Sequence, residues 1–149
     1  MSTQIDPRGP RFNAAVTSVV LIAILATHGT AQIVLTAIQT TLFAWGAFLG
    51  IQHTPVATVF KTVVRPRLSS PRELEDAAGP RFSQLVGFFF LAPALIAFGI
   101  AAGVAGSTAE LAGLILIGFA LVAALLNAVF NFCLGCELYV LLKRIQPAH

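Results

Sequence analysis

Residues 12–60 read FNAAVTSVVLIAILATHGTAQIVLTAIQTTLFAWGAFLGIQHTPVATVF and contain no aspartate, glutamate, lysine or arginine. The same is true of two later stretches, residues 82–109 and 111–136. A helix needs about 20 predominantly apolar residues to cross a bilayer. The first stretch is therefore long enough for two spans and each later stretch for one. The sequence predicts an all-α membrane protein with four transmembrane helices in a single domain.

The overall composition agrees with this assignment. Hydrophobic residues make up 57% of the chain, charged residues make up 10%, and the mean hydropathy is +0.87. That is too little polar surface to cover a soluble globule. A cleaved secretory leader is the alternative interpretation of the N-terminus, but the next apolar segment begins almost at once, which favours a helical hairpin. The predicted spans are about 12–28, 31–52, 81–105 and 108–131, with a helical extension to 144 and a cytoplasmic loop over 53–80.

The basic residues indicate the orientation. All nine lie in the N-terminus, the middle loop or the C-terminus: Arg8, Arg11, Lys61, Arg65, Arg67, Arg72, Arg81, Lys143 and Arg144. Because basic residues stay on the cytoplasmic side, both termini and the middle loop should face the cytoplasm of a bacterial inner (plasma) membrane. The net charge of +3 then reflects contact with membrane lipid and requires no nucleic acid partner.

A tetrapeptide divides the chain into two halves. Gly9-Pro10-Arg11-Phe12 recurs as Gly79-Pro80-Arg81-Phe82, each time before an apolar run. Two spans follow each copy, which predicts a parallel two-helix repeat about an axis along the membrane normal. Between the halves, Thr54-Pro55 should start a short amphipathic interfacial helix. Ser70-Pro71-Arg72-Glu73 is a capping box that predicts a second short cytoplasmic helix ending near Ala78.

Two cysteines stand near the predicted inner end of the last span. Cys133 and Cys136 have the C-x-x-C spacing of dithiol oxidoreductases and of half zinc sites. No second pair completes a four-thiol site, and Glu137 follows where a c-type haem signature requires histidine. We therefore expect no metal and no cofactor. The alternative is that both cysteines are small apolar residues buried in a helix.

The reactivity of the pair depends on whether the last span is interrupted. A break at Gly135 would place Cys136 near a new helix N-terminus, whose free N–H groups lower a thiol's pKa. In a continuous helix the thiols would be desolvated and inert. Glu137 is a weaker candidate for relaying protons, and His53 for acting as a base. Glu137 could instead pair with a nearby basic residue, and His53 could simply be solvated at the headgroups.

Polar residues inside the spans have two interpretations. Asn127 and Asn131 in the last span, and Thr36, Gln39 and Thr40 in the second, are expected to form interhelical hydrogen bonds. A small-molecule, lipid or quinone site around Asn127 and Asn131 is the alternative.

Two glycine pairs predict close helix approach. Gly46-x-x-x-Gly50 and Gly99-x-x-x-Gly103 have the spacing that lets helix backbones meet. Such contacts could lie inside the bundle or between protomers of a homo-oligomer or a larger membrane complex.

Several motifs together carry a family resemblance. The segments GPRF, VVRPRL, PRELEDAAGPRFSQLVG and NAVFNFCLGCELYVLLKR resemble the small actinobacterial membrane proteins grouped as domain of unknown function 4395. The resemblance implies four transmembrane helices and a cysteine pair near the C-terminus, matched here by Cys133 and Cys136. It also implies association with thioredoxin-like or sulfurtransferase partners. In the first half, Ile51-Gln52-His53 stands where a second cysteine pair would lie.

The leading hypothesis is a cytoplasmic-face dithiol that exchanges electrons or sulfane sulfur with a soluble thioredoxin-like or rhodanese-like protein. Cys136 would be the attacking thiolate and Cys133 the resolving thiol. The rival hypotheses are a non-catalytic subunit or scaffold of a larger complex and a lipid- or quinone-binding bundle. Whether the protein is an enzyme is left open by the sequence.

Overall fold

The computed structural model describes residues 4–5, 8–67, 75–76, 78–103, 108–130 and 134–145. Two short segments, β1 (Gln4–Ile5) and β2 (Glu75–Asp76), pair antiparallel. A 3₁₀ turn precedes α3, and a π-helical turn and a second 3₁₀ turn extend it. The helices, in chain order, are α1 (Arg8–Ala26), α2 (Gly29–Phe48), α3 (Pro55–Val59), α4 (Ala78–Gly103), α5 (Ala109–Phe130) and α6 (Leu134–Ile145).

Four of these helices, α1, α2, α4 and α5, are long and apolar enough to cross a membrane. The prediction of an all-α protein with four spans is confirmed to that extent. Their outer faces carry large exposed apolar side chains, such as Val19, Ile38, Phe89 and Phe119. Only 17% of the α4 and α5 spans is buried inside the chain. Lipid is the solvent that makes such a surface favourable, because apolar side chains there need no burial in protein.

The bundle core is formed by all four spans. Helix α2 packs against α4, α1 against α5, and α4 against α5. The buried apolar cluster combines residues from each helix: Leu21, Ile24, Phe43, Leu91, Ala94, Phe98, Ile117 and Ala120.

Glycines allow the closest of these approaches. A Cβ added at Gly113 would lie 2.6 Å from the Phe98 ring, and one added at Gly87 would lie 2.8 Å from the Phe43 ring. Gly46 faces the side chain of Gln84 in the same way. In contrast, nothing lies within 4 Å of a Cβ built at Gly99 or Gly103 within the described chain. Gly46 of the first predicted pair thus contributes to packing inside the bundle, whereas Gly50 lies beyond the end of α2 with a φ of +111°. Both glycines of the second pair have open space within the described chain.

The turn between α1 and α2 is stabilised by two features. Gly29 has a φ of +65°, as expected of a left-handed residue at the end of a helix. The Gln32 amide of α2 donates a hydrogen bond to the Ile24 carbonyl oxygen near the end of α1, at 3.0 Å. The side chain thereby satisfies one of the carbonyls that a helix end leaves without a partner.

The hydroxyls of Thr36 and Thr40 in α2 do not form the predicted interhelical hydrogen bonds. The Thr36 hydroxyl donates to the Gln32 carbonyl at 2.7 Å, and the Thr40 hydroxyl donates to the Thr36 carbonyl at 2.6 Å, both within α2. The prediction was wrong for these threonines because a hydroxyl reaches the carbonyl four residues earlier on its own helix. Gln39 is buried, and its Oε1 has no hydrogen-bond partner.

The two repeated arginines make matching contacts. Arg11, at the start of α1, donates through Nε to the Ala128 carbonyl at 3.0 Å and through Nη2 to the next carbonyl, Val129, at 3.3 Å. Arg81, at the start of α4, donates in the same way to Ala47 at 2.7 Å and to Phe48 at 3.1 Å. Each arginine therefore binds the last carbonyls of a span in the other half of the chain, where the helix dipole is negative.

The phenylalanine of each motif holds a helix at the same end of the bundle. The Phe12 ring contacts the Phe60 ring at a centroid distance of 5.7 Å, and Phe82 contacts Tyr139 at 5.8 Å. The first contact ties the segment after α3 to α1, and the second ties α6 to α4. Each Gly-Pro-Arg-Phe motif thus positions both a span and a short helix.

The loop between the halves agrees with the prediction only in part. Helix α3 begins at Pro55, and the Thr54 hydroxyl accepts a hydrogen bond from the Ala57 N–H, as an N-cap does. The predicted polar helix is not observed at Glu75 and Asp76, which pair with β1 instead because the pairing satisfies their backbone groups. The capping box itself lies outside the described residues.

We expect Arg81→Ala to lower the free energy of unfolding by about 1–2 kcal/mol, because two charge-assisted hydrogen bonds to helix-terminal carbonyls are lost. Thermal unfolding in detergent, followed by Trp45 fluorescence, measures the effect. Arg67→Ala is the matched control, since Arg67 is exposed and makes no contact of this kind within the described chain. Equal melting temperatures for the two variants would contradict the assignment.

The two kinds of glycine should respond oppositely to alanine. Gly113→Ala should destabilise the bundle by about 1–3 kcal/mol, since the new methyl group would overlap the Phe98 ring. Gly99→Ala should be neutral or stabilising by up to about 1 kcal/mol, because helix propensity rises without a clash. The same unfolding assay compares them. A loss of stability in Gly99→Ala would show that a second chain packs against this face.

Candidate functional site

The cysteine segment lies where the last span is followed by α6. Helix α5 ends at Phe130, and α6 begins at Leu134, one residue before the expected break at Gly135. Cys136 is the third residue of α6, so its backbone lies in the first helical turn. Cys133 and the side chain of Cys136 lie outside the described part of the structure. Free N–H groups and the positive end of the helix dipole are found in such a turn.

Helix α6 packs against α4 and makes few contacts with α5. Its main anchor is the ring contact between Tyr139 and Phe82. The Lys143 ammonium lies 5.4 Å from the centroid of the Tyr139 ring, at the distance of a cation–π interaction. Leu141 and Ile145 remain exposed. The helix thus lies against the end of the bundle and keeps its basic end accessible.

The two weaker candidates are both exposed at this end. Glu137 lies in the first turn of α6 and forms no ion pair within the described residues. A carboxylate is electrostatically favourable in that position. His53 ends the 3₁₀ turn after α2, where its backbone N–H donates to the Gly50 carbonyl at 3.1 Å. Whether either side chain meets the cysteines stays a prediction.

A cavity of about 290 Å³ lies inside the bundle at the same end. Residues of α1, α2, α4 and α5 form its walls, and the turn after α2 and helix α6 border it through Ile51 and Leu138. Asn127, one of the two predicted asparagines, lines the cavity. Asn131 lies outside the described residues.

Two further polar residues of the cavity were missed by the sequence analysis. Thr17 and Gln84 both line it and are 4% and 8% exposed. Each is one of two adjacent polar residues at the start of an apolar run, Thr17-Ser18 and Ser83-Gln84, and such a pair is a weak signal by itself. A better signal would have been their position: both lie within two helical turns after a Gly-Pro-Arg-Phe motif, as do Asn13 and Ser83, which line the same cavity.

Comparison with known proteins gives a family but no activity. The sequence matches the family described as Domain of unknown function (DUF4395) over residues 5–144. The chain belongs to the DUF4395 family. No curated protein and no solved structure matches it. The match to DUF4395 includes both motifs, all four spans and nearly all of α6, so these are elements of the family's domain as a whole.

We expect Tyr139→Ala to loosen α6 from α4, since an aromatic pair of this kind contributes about 0.5–1.5 kcal/mol beyond its area. Limited trypsin digestion of the reconstituted protein measures cleavage after Lys143 and Arg144, which should become up to about tenfold faster. Tyr139→Phe keeps the ring and serves as the control. Identical cleavage rates in the three proteins would show that the Phe82 contact does not hold α6.

Proposed function

We propose that this DUF4395 protein is a dithiol carrier of the bacterial inner membrane. Cys133 and Cys136 exchange electrons or sulfane sulfur with a soluble thioredoxin-like or rhodanese-like protein. The observation that carries the proposal is the start of α6 at Leu134, which puts the backbone of Cys136 in the first turn of a helix. A thiol there is favoured as thiolate, the form that attacks disulfides and persulfides.

The orientation belongs to the same proposal. Both termini, the middle loop and the cysteines face the cytoplasm, because the basic residues gather at this end of the bundle. A soluble cytoplasmic partner can reach α6 there. Exposed basic side chains at the end of α6, Lys143 and Arg144, are available to anionic lipid headgroups or to an acidic partner surface.

We also infer that the chain is a parallel two-helix repeat. Each motif arginine binds the carbonyl end of the other half's second span, and each motif phenylalanine contacts the short helical segment of its own half. In this arrangement the start of α6 corresponds to the start of α3.

The redox step balances as follows. The Cys136 thiolate attacks a sulfur of the partner's disulfide, which forms a mixed disulfide and releases one partner thiolate. The Cys133 thiolate then attacks the Cys136 sulfur, forms the Cys133–Cys136 disulfide and releases the second partner thiolate. The partner gains two electrons and the membrane protein loses two. In sulfur transfer, the Cys136 thiolate instead takes the outer sulfur of a partner persulfide and leaves the partner thiolate.

Thiol labelling with a charged maleimide tests the location and the reactivity together. Modification should occur only after the cells are permeabilised, and its rate should rise with pH through an apparent pKa below the ~8.5 of a free thiol. The sign follows from the chemistry, because only the thiolate reacts and raising the pH produces it. Modification of intact cells would refute the cytoplasmic location, and no modification before denaturation would refute the dithiol.

Single-cysteine variants assign the roles. The probe is a purified thioredoxin variant with one active-site cysteine, activated as a mixed disulfide with a small aromatic thiol. In Cys133→Ser, Cys136 displaces the small thiol, no resolving thiol remains on either protein and the protein–protein disulfide should accumulate, whereas in Cys136→Ser it should not form. Non-reducing electrophoresis after incubation measures it. Equal amounts of mixed disulfide in the two variants would contradict the proposal that Cys136 attacks first and Cys133 resolves.

A non-catalytic subunit or scaffold is the second candidate. The observation that favours it is the open space at Gly99 and Gly103 on α4, where a helix of another chain could approach closely. The labelling experiment separates the two candidates, because a scaffold needs no accessible thiolate.

A further inference from the structure

We propose that the cavity near α6 binds the ring of a quinone-type headgroup and that Thr17 and Gln84 hold its oxygen atoms. The inference does not depend on the thiol chemistry proposed above. It rests on the burial, the hydrogen bonding and the chemistry of the residues that line the cavity.

The first observation is that two buried polar side chains have no partner. Thr17 and Gln84 are both more than nine-tenths buried, and neither makes a hydrogen bond within the described chain. Other buried threonines and serines of the spans behave differently: Ser18, Thr36 and Thr40 each donate to the carbonyl four residues earlier. Both side chains line the cavity, so a ligand there can supply the hydrogen bonds that they lack within the described chain.

Gly46 positions the Gln84 side chain. A Cβ built at residue 46 would lie 2.9 Å from Gln84 Cγ and 3.0 Å from its Oε1. The glycine of α2 therefore leaves the space that the amide of α4 occupies at the cavity wall. The amide and the hydroxyl can each donate and accept, so they can bind the carbonyl oxygens of a quinone and the hydroxyl groups of the corresponding quinol.

The lining excludes charged ligands. Among the described residues, no aspartate, glutamate, lysine, arginine or histidine lines the cavity, and both motif arginines already bind backbone carbonyls. A phosphate or carboxylate would lose its hydration there without gaining a counter-charge. The polar groups of the lining are all neutral: Asn13, Thr17, Ser83, Gln84 and Asn127.

The shape and the aromatic residues favour a flat ring. The volume of about 290 Å³ is at the lower end of the range for small-molecule sites, which suits a headgroup better than a whole lipid. Phe43, Phe90 and Phe119 contribute rings to the lining, against which a quinone ring can stack. Phe119 is also 62% exposed on the outer face of α5. A ligand dissolved in the bilayer can therefore approach from the side, with its tail left in lipid.

The test measures binding of 2-methyl-1,4-naphthoquinone to the full-length protein in nanodiscs of defined phospholipid. Equilibrium dialysis against empty nanodiscs corrects for partition into lipid. We expect saturable binding, weakened about three- to tenfold by Gln84→Leu and by Thr17→Val, each of which removes hydrogen bonding at nearly constant size. Ala124→Phe, which fills the cavity, should abolish it.

Gln39→Leu is the matched control. Gln39 is also a buried glutamine with an unpaired oxygen on a neighbouring helix, but it does not line the cavity. This variant should bind the naphthoquinone as the natural protein does. Thermal unfolding of every variant shows which of them fold. If Ala124→Phe does not fold, Thr17→Val, which changes the side chain little in size, still tests the proposal.

Two outcomes would overturn the proposal. The first is an absence of saturable binding, or binding that Gln84→Leu, Thr17→Val and Ala124→Phe leave unchanged. The second is that native mass spectrometry detects a phospholipid bound to the purified protein. This phospholipid would be absent from Ala124→Phe, and the naphthoquinone would not displace it from the natural protein. That result would assign the cavity to a lipid chain.

Discussion

Helix ends at a membrane boundary leave backbone carbonyls without partners, and much of this structure depends on how those carbonyls are bound. The last turns of α2 and α5 each present two of them to a motif arginine. A guanidinium supplies several donors in a fixed plane, so one side chain can bind two successive carbonyls. Each bond joins the start of one hairpin to the end of the other. The four spans are thereby fixed at one end, where α6 and the cavity also lie.

This end of the bundle combines two features of different chemistry. The first turn of α6, which includes the backbone of Cys136, lies at this end, and the neutral cavity extends from it into the apolar interior. Leu138 belongs to α6 and lines the cavity, so the position of that helix affects both. From Pro80 to Phe90 along α4, the lining covers about 15 Å of helix length, roughly half the hydrocarbon thickness.

The spans differ in how much of each helix is buried inside the bundle. Helix α2 has the largest buried share and buries four polar residues, Gln32, Thr36, Gln39 and Thr40, of which the two threonine hydroxyls bond within the helix. Helices α4 and α5 have the smallest buried share and contact the core through a narrow stripe that includes Gly87 and Gly113. Small residues at these contacts let the rings of Phe43 and Phe98 fill the space between helices, since packing rather than the hydrophobic effect joins helices in lipid.

The sequence by itself determined the number of spans and the short helix at Pro55, because long apolar runs and Thr-Pro are local signals. Tertiary structure alone decided what the motif arginines and phenylalanines bind, and that Glu75 and Asp76 pair with the N-terminal segment. It also brought Thr17 and Gln84 to one cavity. Those outcomes depend on contacts between residues that are far apart in the sequence. Hydropathy and residue spacing along the chain report local structure and do not identify such long-range contacts.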